Sequence, residues 1–203
     1  MTRRFGGLLI LALAACSPPE GASDMVGNQA RIPEPTSAFA ASEVATTPDR
    51  STSRFTTNGL DKCRLIEKNE EEGGYYRHRC PGAGGFNYEH VESDLRQSLV
   101  IIAPDGRRGE VSPAQATGSG GFSTLGSTFD WRGLSGAPPR TVTVRYNVNE
   151  DPEATVPARS YLVVVRLTAP VCPIAVVPPG PGQNDEARAI ADRDSLPACI
   201  AGQ

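Results

Sequence analysis

Four cysteines, Cys63, Cys80, Cys172 and Cys199, constrain this chain more than any other feature. A fifth, Cys16, closes a short apolar segment near the N-terminus. That segment opens with Arg3 and Arg4 and runs without charge from Phe5 to Ala15. As a helix, these eleven residues span about 16 Å, against roughly 30 Å for the hydrocarbon core of a bilayer. A basic start, a short apolar core and small residues at its end mark an export signal, not a spanning helix. In an exported chain, an even number of remaining cysteines predicts two disulfides. Four cysteines allow three connectivities, and spacing alone does not choose among them.

Local geometry favours two of the pairings. "KCRLIEK" and "YYRHRC" flank "NEEEGG", which is rich in turn formers and charge. Cys63 and Cys80 are symmetric about a point between Glu71 and Glu72, so a hairpin turning there sets them opposite each other, with Leu65 and His78 on the same face. Closing that loop is worth about 3 kcal/mol in the chain-entropy model. Cys172 and Cys199 bracket "NDEARAIADRD", where Asn184 can cap, Asp185 and Glu186 suit a first turn, and Ala187, Ile190 and Ala191 share one face. A bond between them pins this short helix, read as the only regular one, to the preceding strand.

The rest of the chain from about Leu60 reads as strands. "LRQSLVIIA" is apolar enough for a central strand, and "SYLVVVRLT" is the clearest buried one. "TVTVRYNV" alternates as a half-buried strand does, and "FSTLGSTFDWRG" is a weaker strand or strand pair. Pro173 in "VCPIAVV" predicts an edge or a bulge. "TGSGG" and Asp151 to Arg159 read as loops. The expected fold is α+β: a mainly antiparallel sheet with a short C-terminal helix packed on it and two disulfides.

Leu13-Ala14-Ala15-Cys16 resembles the lipobox of bacterial prolipoproteins. The resemblance implies that residues 1–15 are cleaved, that Cys16 receives a thioether-linked diacylglycerol, and that its new amino group is acylated. Ser17 in place of Asp resembles the pattern sent on to the outer membrane, facing the periplasm. Residues 16–58 are rich in Pro, Ser, Thr and Ala with no apolar period, and are expected to form a disordered tether with an end-to-end distance of about 35 Å. Residues 59–203 are expected to form one domain.

Cleavage leaves 18 basic against 23 acidic residues. That balance lacks the basic face nucleic-acid binding needs. "CPGAGGF" is not a phosphate loop, because it opens a strand and lacks the Lys-Ser/Thr ending. "GLSGA" is not a nucleophile elbow, and oxidised cysteines are not nucleophiles. No cysteine pair has zinc-knuckle spacing, so no metal and no cofactor are expected. His90 shares a strand face with Tyr88 and Glu92, with Glu89 pointing away, and a solvated polar face is the expectation there.

Two i,i+2 pairs, Asp94 with Arg96 and Asp130 with Arg132, each fall on one strand face and are the candidates for a binding surface. Trp131 then points to the opposite face, into the core. The succession Cys80-Pro81-Gly82, Asp94-x-Arg96, Trp131-Arg132-Gly133, Arg145-Tyr146, Leu162-Val163-Val164, Cys172 and Ala187-Arg188-x-Ile190-Ala191-Asp192 with Cys199 resembles a set of small exported proteins of Gram-negative bacteria. That resemblance implies a shared disulfide-stapled fold and no catalysis. Together these features predict a lipid-anchored periplasmic binding or interaction domain, with the membrane and an envelope protein or glycan as partners. A hydrolase of envelope glycans or peptides is the alternative from another class. An inhibitory or structural lipoprotein is the third.

Overall fold

The computed structural model describes residues 51–71, 73–118, 121–149, 151, 153 and 159–200. The strands are β1 (Ser51–Thr57), β2 (Arg64–Asn69), β3 (Tyr75–Pro81), β4 (Asn87–Ser93), β5 (Arg96–Ile102), β6 (Arg108–Val111), β7 (Phe122–Leu134), β8 (Thr141–Asn149), β9 (Arg159–Arg166) and β10 (Cys172–Val177). Two helices join them, α1 (Pro113–Thr117) and α2 (Gln183–Ala191). The signal segment, Cys16 and the tether up to residue 50 lie outside the described residues, as do Glu72, Ser119, Gly120 and most of the connection before β9.

The sheet is antiparallel throughout, apart from one parallel bridge, Arg96↔Ser123, between β5 and β7. Its order is β10-β9-β8-β7-β5-β4-β3-β2. At the bridge the sheet forks: β7 continues along β1, and β5 continues along β6. This yields two five-stranded layers that fold onto each other.

Alternation along the strands fills the space between the layers. From one side come Cys80, Tyr88, Leu99 and Ile101, and from the other Phe129, Trp131, Val142, Val144, Tyr146, Val163 and Val165. Tyr88 meets Phe129 across the gap with ring centroids 4.9 Å apart, and Phe86 meets Trp131 at 6.1 Å. Burial pushes the Tyr88 phenol up to about 12. Trp131 is fully buried, as its position opposite the Asp130/Arg132 face requires, and its indole N–H donates to Thr56 Oγ1 at 2.8 Å. Gly82 has to be glycine at this contact, since a Cβ there would stand 2.8 Å from the indole ring.

Beyond the fork, β7 carries an irregularity. Between Leu125↔Tyr146 and Phe129↔Val144, β7 advances four residues while β8 advances two. An even insertion keeps Leu125 and Phe129 on the same inner face while bending the strand. A Cβ on Gly126 in this bulge would stand 2.6 Å from Arg145 Cβ.

Both disulfides form, Cys63 with Cys80 and Cys172 with Cys199. Leu65 does face His78 across the first hairpin. β10 is an edge strand with a register shift between Pro173 and Ala175. α2 lies on the outer face of the β7–β10 layer and buries Ala187 and Ala191 against Leu162, Val164, Ile174 and Val177. The fold is therefore the expected antiparallel sheet with a C-terminal helix and two disulfides.

Four expectations change. Residues 51–57, expected in the tether, form β1, paired residue for residue from Ser51↔Leu134 to Thr57↔Thr128. Their hydroxyl-rich sequence has no apolar period because its contacts are hydrogen bonds. The domain thus begins at or before Ser51. α2 is not the only helix: Ser112 caps α1 by accepting from Gln115 N–H, Pro113 starts it, and Gly118 ends it at φ +66°. α2 begins one residue before Asn184, with Gly182 as its N-cap. His90 is buried, and so is Glu89 on the opposite face. Arg79 and Arg108 donate to Glu89, at 2.6 Å and 2.5 Å, which is how a carboxylate can leave water here.

Candidate functional site

The outer face of β7 and β8 carries polar side chains, and α2 covers only part of it. Between the helix and β1 a cleft opens. Its floor is Asp130, Thr143 and Leu162, with Thr128 and Phe55 on one side and Asn184, Ala187 and Arg188 on the other. Register explains the assembly. Phe55 of β1 pairs with Asp130 of β7, and Asp130 pairs with Thr143 of β8, so the three stand in a row across adjacent strands. Arg145 follows Thr143 at i+2 on the same face, opposite Leu162.

The polar groups at the floor are unevenly satisfied. Asp130 Oδ2 lies 3.6 Å from Arg132 Nη1 and 3.7 Å from Arg188 Nε, but Oδ1 is buried with no hydrogen-bond partner in the protein. Thr143 Oγ1 is buried and equally without a partner. Such groups cost free energy until something bonds to them. Arg145 is positioned by its neighbours: Nη1 donates to Ser160 Oγ at 2.9 Å and Gln183 Oε1 at 3.1 Å, and Nη2 donates to Asn184 Oδ1 at 3.1 Å. Phe55 is 59% exposed, a large aromatic surface beside a polar floor.

Behind the cleft, Arg132 ties the elements together. Nε donates to Asp192 Oδ1 at 2.8 Å and Nη2 to Oδ2 at 2.5 Å, while Nη1 donates to Ser53 Oγ. Ser51 Oγ also donates to Asp192. One guanidinium therefore joins β1, β7 and the end of α2.

Asp130 and Arg132 thus stand together, and Asp130 lines the cleft. Asp94 and Arg96 do not join them. Asp94 sits in the two-residue turn between β4 and β5, and its carboxylate meets Arg96 Nη1 at 2.5 Å. Arg96 also lies over the Phe122 ring, 5.3 Å from its centroid. That places this pair at the start of β7 and the other near its end, roughly 20 Å apart at the usual rise per residue. The expected surface divides into two separate places. The four disulfide cysteines serve as staples, and Cys16 lies outside the described residues.

Phe55, Thr143, Arg145 and Arg188 are not among the binding-surface candidates read from the sequence, although Arg145 and Arg188 belong to the motifs of the resemblance. The available signal was the spacing Thr143-x-Arg145, which repeats the i,i+2 polar pattern of Asp130-x-Arg132 on the neighbouring strand. Nothing in the sequence announces that β1 supplies Phe55 to this face. Comparison with protein-family models, curated proteins and solved structures finds no match to the chain.

Proposed function

We propose that this is a lipid-anchored periplasmic binding domain, held to the outer membrane through Cys16, whose Asp130 cleft takes an anionic envelope glycan or glycopeptide. The observation that carries the reading is the pair of buried, unpartnered acceptors, Asp130 Oδ1 and Thr143 Oγ1, in a cleft walled by an exposed aromatic ring and two arginines. Asp130 asks for a hydroxyl or amide donor. Arg145 and Arg188 favour a carboxylate on the same ligand. Phe55 offers an apolar face of the kind a sugar ring can cover. The disulfide pairs support an oxidising compartment.

The hydrolase reading asks for two carboxylates facing one bond. Among the described residues, the cleft lining supplies one, Asp130. Asp192, which shares Arg132 with Asp130, has both oxygens bonded to that guanidinium. The geometry favours binding.

The experiment is a titration of the domain with a soluble disaccharide-peptide fragment of peptidoglycan, followed by NMR shifts and calorimetry. Shifts confined to Phe55, Thr143, Arg145 and α2, weakened at least about tenfold by Asp130→Asn and by Phe55→Ala, support the proposal. Shifts elsewhere, or binding unchanged in both variants, overturn it.

A further inference from the structure

Each layer of the domain ends in two edge strands, and three of the four edges are guarded. β2 bears Arg64, Glu67 and Lys68 and shifts register between Leu65 and Glu67. β10 contains Pro173, whose carbonyl already accepts from Ile200 N–H. β6 is four residues long, and Arg108 and Glu110 charge it. Short, charged, bulged or covered edges resist the addition of another strand. β1 has none of these devices. It runs for seven residues without a proline or a register shift, and its single charge, Arg54, turns aside to donate to Ala137 O.

The backbone of β1 is half unpaired. Asn58 N–H donates to Ser127 O, which stands opposite it when the β1–β7 register is carried one residue on. Bonded and non-bonded pairs alternate along an antiparallel ladder, so Thr52, Arg54 and Thr56 exchange bonds with β7. Ser51, Ser53, Phe55 and Thr57 therefore turn their N–H and C=O groups the other way. Among the described residues no backbone group meets them there, and the Thr57 carbonyl takes only the Tyr88 hydroxyl, at 3.5 Å. The free groups recur about every 6.8 Å, a spacing that the backbone of another extended strand matches.

Beyond this edge the inner face of the other layer is uncovered. Tyr88 places β4 beneath the edge, and β3 and β2 follow β4 in the strand order. Leu99, His90, His78 and Leu65 form one inner row across β5, β4, β3 and β2. Leu99 and His90 are buried, His78 is half-buried and Leu65 is 45% exposed, so cover fades outward along the row. One more strand beside β1 would cover the row and satisfy the free backbone groups together. Its alternate side chains would face a cavity lined by Leu60, Tyr76, His78, His90 and Glu92. Asn58, the residue after β1, has its Oδ1 3.2 Å from His90 Nδ1, which puts this cavity at the end of the free edge.

The cavity offers one carboxylate, a tyrosine ring and an aliphatic side chain, and no lysine or arginine lines it. Gln97 Nε2 holds Glu92 in place by donating to Oε2 at 2.7 Å. Burial keeps the His90 pKa below its ordinary value of 6.5, so the ring is neutral at pH 7 and does not repel a cation. A lysine or arginine suits these walls, with its stem along Leu60 and Tyr76 and its charge at Glu92. From this placement we infer that the free edge of β1 takes up an extended segment of a partner protein as a further strand, with an inward-facing lysine or arginine of that segment in the Glu92 cavity. The Asp130 cleft opens on the outer face and is not needed for this.

The test uses the disulfide-intact full chain and a capped heptapeptide of alternating threonine and valine with lysine at its centre. Binding is read by calorimetry and by backbone hydrogen exchange. One peptide is expected per chain, with exchange slowed at the Ser53, Phe55 and Thr57 amides. Thr57→Pro removes one free donor and sets a ring against the incoming strand without touching a bond to β7. It should weaken binding about fivefold or more, with the circular dichroism unchanged. Glu92→Gln can still accept from Gln97, and should weaken the lysine peptide about threefold or more while leaving a peptide with central threonine unaffected. Absence of binding, binding that leaves Ser53 and Phe55 unprotected, or equal affinity for peptides with central lysine and central glutamate overturns the inference. So does protection of those amides before peptide is added, because a second copy or the chain itself then already occupies the edge.

Discussion

Arg132 holds both oxygens of Asp192, and through them it fixes the last turn of α2 to the middle of the outer sheet layer. The pair is half-sheltered: the Arg132 side chain is 10% exposed and that of Asp192 30%. Burial alone would raise the Asp192 pKa, but the bonds from Arg132 and Ser51 outweigh it and hold the carboxyl below its ordinary value. Asp192→Ala strands a mostly buried guanidinium, leaving only Ser53 and the longer contact to Asp130. The expected loss is about 2 kcal/mol in urea unfolding, with hydrogen exchange in α2 speeding up more than in β8. A loss under about 0.5 kcal/mol would mean that α2 is held by Ala187, Ala191 and the disulfide alone.

The β4–β5 turn offers a gain. Asp94 and Leu95 both have positive φ, 48° and 59°, which is the pattern of a two-residue type I′ hairpin turn. Asp tolerates that region, and a bulky leucine pays for it by about 1 kcal/mol. Leu95 is 54% exposed, so little packing compensates. Leu95→Gly should stabilise the domain by roughly 0.5–1 kcal/mol, seen as a raised melting temperature. A lowered one would show that the leucine side chain contributes more by contact than its backbone costs.

The strand-rich fold and both disulfides were legible because they rest on local signals. Alternation in "TVTVRYNV", the unbroken apolar run of β9 and the symmetric placing of Cys63 and Cys80 each name their own element. What escaped depends on partners far away in sequence. β1 looks like linker because Ser51, Ser53 and Thr56 bond to Asp192, Arg132 and Trp131, residues more than seventy positions on. Glu89 carries no local sign of its partners, since Arg79 and Arg108 reach it from β3 and from β6, a strand beyond its neighbour. His90 looks like part of a polar face until the 3₁₀ turn at Leu60–Lys62 and Asn58 close its surroundings. The Asp130 cleft has the same origin, since its walls come from β1, β8 and α2.

The second disulfide holds the C-terminal segment as well as the helix. Beside it, Ile200 N–H donates to Pro173 O at 2.9 Å, so the chain after α2 returns to the edge strand β10. Cys172→Ser with Cys199→Ser is expected to cost about 3 kcal/mol. Proteolysis should then cut first between α2 and residue 200. If the double variant melts where the parent does, contacts of α2 suffice without the bond.

The anchor stands or falls on Cys16. If the lipobox is read by the export machinery, Cys16→Ser should leave the chain uncleaved or release it from the outer-membrane fraction, and mass spectrometry of the parent should find an acylated N-terminal cysteine. An unmodified parent that still fractionates with the membrane removes the lipid from the proposal.

Acid should weaken the fold in two stages, with signs set by His90, Glu89 and Asp192. His90 has a folded pKa below its ordinary 6.5, so the unfolded chain takes up a proton first as pH falls. Its contribution is complete above pH 6.5 and is lost as pH falls through 6.5 toward the folded value. Glu89 and Asp192 are likewise depressed from 4.5 and 3.8, and their contributions are complete above those values and lost below them. For Glu89, burial pushes the pKa up, and the bonds and charges of Arg108 and Arg79 more than reverse it. Those arginines remain 44% and 42% exposed and can turn to water when the carboxylate goes. Glu89→Gln should therefore cost only about 2 kcal/mol at pH 7, toward the lower end for a charged hydrogen-bonded group. The variant should lose less stability than the parent between pH 5 and pH 3, while the decline beginning near pH 6.5 stays the same in both. Urea unfolding at half-unit steps from pH 7.5 to pH 3 measures both slopes. Equal slopes below pH 5 would mean that Glu89 is not ionised beneath its arginines.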